Sequence, residues 1–216
     1  MKTTHQVKFY PLSTYFWCFT LFSLFGYVFE TLVRLVRYGN IAGTQGLIGL
    51  PFSQIYGFGA VLLIGFYPYL KKWHPLMIFM FCSVLGGFYE YMASYIQEQV
   101  FHTTSWNYSL MSTNIGGRTN LVYALVWGGL SLMAIRYVFP SMITWLNEPK
   151  HSLWYFMTWL LFMVLLIDAL CSALACQRYV DRSQNSEAKT ELDVLLDTYF
   201  PDEVIHKTYP YLHILP

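Results

Sequence analysis

The chain has 216 residues, 56% of them hydrophobic and 19% aromatic against 12% charged, about half the charged share of an ordinary soluble domain. That balance excludes water as the main solvent, and a formal net charge of +1 excludes the basic excess that a nucleic-acid partner calls for. Residues 177–216 hold four Lys/Arg and seven Asp/Glu, leaving nine and five elsewhere, so a mildly basic membrane domain, residues 1–176, is followed by a polar acidic tail, residues 177–216.

A hydrocarbon core about 30 Å thick takes roughly 20 mostly apolar residues in a helix. Five segments have that length, approximately 14–36, 51–70, 76–98, 120–140 and 153–176. The expected fold is all-α and integral to the membrane, a bundle of about five transmembrane helices with a short amphipathic C-terminal helix. The first segment follows Lys2 and Lys8 as a secretory signal does. It lacks a small-residue cleavage site and ends in Glu30, Arg34 and Arg37, so it reads as a retained span. Glu30 and Arg34 stand one turn apart, acid before base, the favourable order for an ion pair on a helix. They either border a polar interior or form a snorkelling pair at the span end.

Gly39-Asn40 and Gly43 break the chain before the second span, and Lys71-Lys72-Trp73-His74-Pro75 breaks it before the third. Glu90 lies about 20 Å along the third helix at 1.5 Å per residue, close to mid-membrane, with no base one turn away. Ser83, Gly87, Ser94 and Gln97 share its face, and a small, polar stripe of this kind faces other helices or water and not lipid. Glu98, at the span end, is expected to be solvated. The connection at 99–119 is too long for a tight turn and too aromatic for a loose linker. Trp106, Asn107 and Tyr108 are expected to cap the bundle, and Gly116-Gly117 to turn the backbone so that Arg118 is presented. Arg118 is expected to turn inward to Glu90 or Glu30, the alternative being an interfacial arginine facing headgroups.

Pro140 and Pro149 bracket the fourth loop. In the fifth span Asp168 has Cys171 and Ser172 one turn on, and a local hydrogen-bonded acid and a functional one are equally open. Gly57, Gly59, Gly86, Gly87, Gly128 and Gly129 let helices approach closely. Trp17, Trp73, Trp145 and Trp154 fall near span ends, the place of an aromatic belt. Cys18, Cys82, Cys171 and Cys176 have no metal or redox spacing and read as buried free thiols. If the tail is set aside, the distribution of Lys and Arg favours a cytoplasmic N-terminus. In the tail, Leu192, Leu195, Leu196 and Tyr199 share one helical face, predicting an amphipathic helix over 187–199 that docks on the membrane domain, on a partner or on nothing.

No phosphate loop of the G-x-x-x-x-G-K-[ST] type occurs, so the chain does not hydrolyse ATP itself. No H-E-x-x-H, G-x-S-x-G or Cys/His metal cluster is found either, and no cofactor is expected.

These residues, in this order, carry a resemblance: Glu30 in the first span, Gly-Leu-Ile-Gly-Leu-Pro-Phe-Ser-Gln-Ile-Tyr-Gly-Phe-Gly at 46–59, Glu90, Trp-Asn-Tyr-Ser at 106–109, Asn-Ile-Gly-Gly-Arg at 114–118, and Trp127-Gly128. Together they resemble the ABC-transporter permease family called CmpB-like, over roughly residues 14–140. Gln54 stands where that family usually has proline, and Asn107 replaces an acid, which removes a carboxylate from the loop and leaves hydrogen bonding intact. The resemblance implies a permease-like component of a bacterial cytoplasmic membrane. A separate nucleotide-binding subunit is required if it belongs to an ABC system, and five spans imply a homodimer.

The leading expectation is a transporter component without its own ATPase. Pro51, Phe52, Tyr56, Glu90, Trp106, Asn107, Tyr108, Asn114 and Arg118 line or cap a polar cavity in that reading, and Glu30 and Arg34 border it. Two alternatives stay open. One is a membrane-embedded enzyme acting on a lipid-like substrate, with Glu90 as acid or base and Arg118 holding an anionic headgroup. The other is a sensor or scaffold that recruits a partner through its acidic tail.

Overall fold

The computed structural model describes residues 10–39, 41 and 45–215. Lys2, Lys8, Asn40 and Gly43, used above for orientation and for the first break, lie outside them. The helices run in the order α1 (Leu12–Tyr38), α2 (Gln54–Leu70), α3 (Pro75–Phe101), α4 (Leu121–Met133), α5 (Phe139–Asn147), α6 (Ser152–Ser183), α7 (Glu191–Tyr199) and α8 (Asp202–Thr208). A π-helical turn at Ala134–Val138 joins α4 to α5 without a break. Among the described residues, α1, α3, the α4–α5 run and α6 are long and apolar enough to cross a membrane, while α2 is apolar but shorter. The fold is the all-α membrane bundle read from the sequence.

The shortness of α2 has a local cause. The chain after α1 folds back as a non-helical segment, and Ser53 N–H donates to the Ser23 carbonyl at 3.0 Å, midway along α1. Leu47 and Phe52 bury against Leu165. Exposed backbone polar groups are not tolerated at membrane depth, so such a segment needs protein partners. Asp168 and Ser172 of α6 supply them: Gly49 N–H donates to Asp168 Oδ1 at 3.0 Å and Ile48 N–H to Ser172 Oγ at 2.9 Å. Asp168 is thus a hydrogen-bonded acid.

Pro140 does not end a span. It sits in the first turn of α5, where a missing N–H removes little, and the break falls only at Glu148–His151.

α1 packs along α2 and α3 along α4, forming two hairpins, while α2 meets α3 sparsely. Ile64 and Leu70 of the first hairpin meet Ile78, Cys82, Ile135 and Phe139 in the main core. At the end of the bundle where α1 starts, Trp17, Trp145 and Trp154 pack together, Trp17 stacked on Trp154 with centroids 4.6 Å apart. Cys18 and Cys82 are buried free thiols, and Cys171 and Cys176 are partly buried free thiols.

The opposite end carries a cap. Strand β2 (Asn114–Ile115) pairs antiparallel with β3 (Thr119–Asn120) through Gly116 and Gly117, both in the left-handed region at φ 59° and 69°. Strand β1 (Thr103–Thr104) pairs with β4 (His213–Ile214) of the tail. α7 begins at Thr190, whose hydroxyl accepts from Asp193 N–H in a capping box. Of the apolar face predicted for it, only Leu196 is buried; Leu192, Leu195 and Tyr199 are exposed. The helix is held by ions instead. Arg178, itself 4% exposed, donates to both Asp197 oxygens at 2.9 and 2.8 Å, and Arg182 donates to Asp197 and Asp202. Arg178 and Arg182 hold the Asp197 carboxyl down at about 2.

Candidate functional site

Helix α3 buries the face that carries Ser83, Gly87, Glu90 and Ser94, as their spacing predicts. Glu90 is 4% exposed. A carboxylate there requires hydrogen-bond donors, because burying one unpaired is costly. Tyr108 Oη donates to Glu90 Oε1 at 3.0 Å and Thr119 Oγ1 to Glu90 Oε2 at 2.8 Å. The Trp127 side chain also lies within hydrogen-bonding reach of the carboxylate. Burial, with the Glu90 charge beside it, pushes the Tyr108 phenol well above its usual range, so Tyr108 stays a donor at any physiological pH.

Glu30 comes from the other hairpin. Its neighbours include the Arg34 charge and the Tyr56 hydroxyl, and the Tyr56 ring packs against Trp127 with centroids 5.2 Å apart. Tyr108 stacks on Tyr123 at 4.8 Å. The result is a seam of Glu30, Tyr56, Trp127, Glu90, Tyr108 and Thr119 that crosses from the first hairpin to the second and up into the cap. Two glycines allow it: a Cβ on Gly26 would collide with the Tyr56 ring, and one on Gly86 with Trp127.

Arg118 joins neither Glu90 nor Glu30. Its guanidinium pairs with Glu98 and lies over Tyr91 and Tyr95, 5.4 and 5.7 Å from their centroids. Arg118 closes the Gly116-Gly117 turn, its N–H donating to the Ile115 carbonyl at 3.1 Å, whereas Thr119, the first residue of β3, faces inward to Glu90. Glu98 is therefore an ion-pair partner and not merely solvated. Arg34 reaches the tail, donating to Tyr211 Oη at 3.0 Å and lying 4.5 Å from the Tyr211 ring centroid, while its charge still acts on Glu30 beside Tyr56.

The other sequence candidates divide. Trp106 Nε1 donates to the Arg118 carbonyl at 2.8 Å. Asn107 Oδ1 accepts from Ser109 N–H at 2.8 Å, and Asn114 Oδ1 from Gly117 N–H at 2.9 Å. These three shape the cap loop that delivers Tyr108 and Thr119. Phe52 is buried in the returning segment and Pro51 is exposed there. Thr119, Tyr123 and Trp127 were not among the candidates. No periodicity in the sequence links them to Glu90, because Thr119 follows a turn and Tyr123 and Trp127 lie on a different helix. Among the described residues no group of His, Cys, Asp and Glu is arranged to hold a metal ion.

Comparison with known families gives a match to the one described as Putative ABC-transporter type IV, over residues 17–173. That span takes in most of α6, which the motif resemblance left outside. No curated protein and no solved structure matches the chain.

Proposed function

The chain belongs to the Putative ABC-transporter type IV family, and from that premise we propose that it is the membrane-spanning component of a transporter whose ATPase is a separate nucleotide-binding subunit. In this reading it works as a homodimer in a bacterial cytoplasmic membrane, with its N-terminus in the cytoplasm. The substrate pathway follows the seam between the hairpins. Glu30 and Glu90 are its ionisable groups. Tyr56 and Tyr108 hold them, Phe52 lies in the returning segment beside it and Pro51 at that segment's exposed edge. Trp106, Asn107, Asn114 and Arg118 fix the loop above it, and Arg34 ties it to the tail.

One observation carries this reading: Glu90 is buried and meets hydroxyl donors, not a cation, among the described residues, and the half-buried Glu30 of the other hairpin lies across Tyr56 and Trp127 from it, with Arg34 and the Tyr56 hydroxyl as neighbours. Intramembrane acids of this kind mark substrate or ion routes. The enzyme alternative has less support, because it needs Glu90 and Arg118 at one substrate atom and Arg118 is committed to Glu98. The scaffold alternative needs a tail free to recruit, and the tail is paired to α6 and to β1.

Two measurements test the proposal. Affinity purification from native membranes is expected to retain an ATPase subunit in fixed ratio; repeated recovery without one overturns the ABC assignment. Cells carrying Glu90→Gln are expected to show the same lipid and metabolite changes as cells lacking the chain. A wild-type profile in the Glu90→Gln cells overturns the pathway.

A further inference from the structure

Between the two hairpins lies a cavity of about 590 Å³ whose walls include Phe22 and Phe25 of α1, Leu63 of α2, Leu85 of α3 and Leu130 of α4. Tyr56, Tyr89 and Trp127 close its inner end. Each turns its polar atom elsewhere: Tyr56 to Glu30, Trp127 to Glu90, and Tyr89 Oη to the Ile55 carbonyl at 2.7 Å. Ring faces and hydrocarbon are what remain for an occupant. A headgroup at that end meets no partner, whereas an apolar chain does.

The other end is different. Trp145 lines it and belongs to the tryptophan group that holds Lys150, whose Nζ lies 4.8 Å from the Trp145 centroid and 5.5 Å from that of Trp154. Arg136, at the same end of the bundle, donates to the carbonyls of Lys71 and Trp73, and its Nε has no partner. Against these cations stands Glu148, exposed and 3.6 Å from Lys150. Tryptophan rings settle at headgroup depth, so this end is the aqueous rim. On α1, Gly26 packs on Tyr56 and Trp17 on Trp145. These two levels are about 14 Å apart at 1.5 Å per residue, roughly half of the ~30 Å hydrocarbon thickness. The cavity therefore has the depth of one leaflet, with Lys150 beside its mouth and no free polar group at its floor.

The geometry points to a binding site for an anionic membrane lipid, one hydrocarbon chain lying in the cavity between the hairpins and the headgroup held at the Lys150 rim. The site adjoins the Glu30–Glu90 seam, sharing Tyr56 and Trp127 with it as its floor, and does not depend on that seam carrying substrate.

The test uses the full chain in nanodiscs doped with phosphatidylglycerol or phosphatidylcholine bearing the same diazirine-tipped chain, with adducts mapped by mass spectrometry. Phosphatidylglycerol is expected to label Leu85, Leu130 and Trp127 above the outward-facing Phe156 and Leu160. Leu85→Trp and, separately, Leu130→Trp fill the cavity and are expected to abolish that labelling while leaving Phe156 and Leu160 labelling intact, which also reports that the bundle has formed. Lys150→Gln is expected to lower the preference for phosphatidylglycerol about fivefold, the effect of one interfacial cation. Equal labelling of the cavity and the outer α6 face, or cavity labelling that survives both tryptophan variants, overturns the site. Equal labelling by the two headgroups overturns its anionic character.

Discussion

Glu90 depends on two hydroxyls that belong to the cap, so the cap and the membrane interior are coupled through single atoms. Tyr108→Phe and Thr119→Val each leave one buried carboxylate oxygen short of a donor. Each is expected to lower stability by about 1–3 kcal/mol, read as the unfolding midpoint in detergent; an unchanged midpoint means that water replaces the hydroxyl. Arg118 and Glu98 offer a separate check. Arg118→Glu and Glu98→Arg alone are expected to loosen the 106–119 loop, seen as faster hydrogen exchange, and the double reversal to restore it. Arg118→Glu combined with Glu90→Arg is expected to restore nothing. The burial of Glu90 was legible in the sequence, because a small, polar helix face turns away from lipid. Its donors were not. Tyr108 and Thr119 come from a loop and a strand, and no helical period links them to position 90.

Among the elements, the segment from Leu47 to Ser53 was the least legible. Gly-Leu-Ile-Gly-Leu-Pro-Phe-Ser has the same apolar composition whether it starts a helix or runs extended beside one, and what decides is Asp168 and Ser172, far along the chain. Asp168→Ala is expected to raise hydrogen exchange at Ile48 and Gly49, with Asp168→Asn, which keeps an acceptor, intermediate; equal exchange in all three would falsify the clasp. α7 misled in the opposite way. Its apolar face was correctly periodic, yet the contact that holds it is Asp197 on Arg178 and Arg182. Because the Asp197 carboxyl is held at about 2 in the folded protein, below the ordinary ~3.9 of aspartate, the clasp contributes fully above that ordinary value. Its contribution is lost as pH falls from there through about 2. Limited proteolysis at 184–190 is expected to accelerate in that window with an acid protease, and Asp197→Asn to show the fast rate already at pH 5.

For the whole molecule, hydropathy and length were enough to read a membrane bundle, since helices this long and apolar leave most of their surface outside the protein core. The division into two hairpins was not readable, because it rests on which helices touch and not on what each contains. Gly26 and Gly86 mark the division from either side. Gly26→Ala and Gly86→Ala each press a methyl into a ring that bridges the hairpins, and each is expected to cost about 1–3 kcal/mol through overpacking. The pair is expected to fall short of additivity, because both act on the Tyr56–Trp127 contact. Full additivity in a double-mutant cycle would show that the hairpins do not communicate there.

The pairing of β1 with β4 also sets a clock on biogenesis. Thr103 and Thr104 leave the ribosome long before His213 and Ile214, so α1 through α6 must be inserted while the β1 edge is still open. A product truncated just after α6 would carry that edge open and Arg178 without Asp197, two features that the finished protein hides.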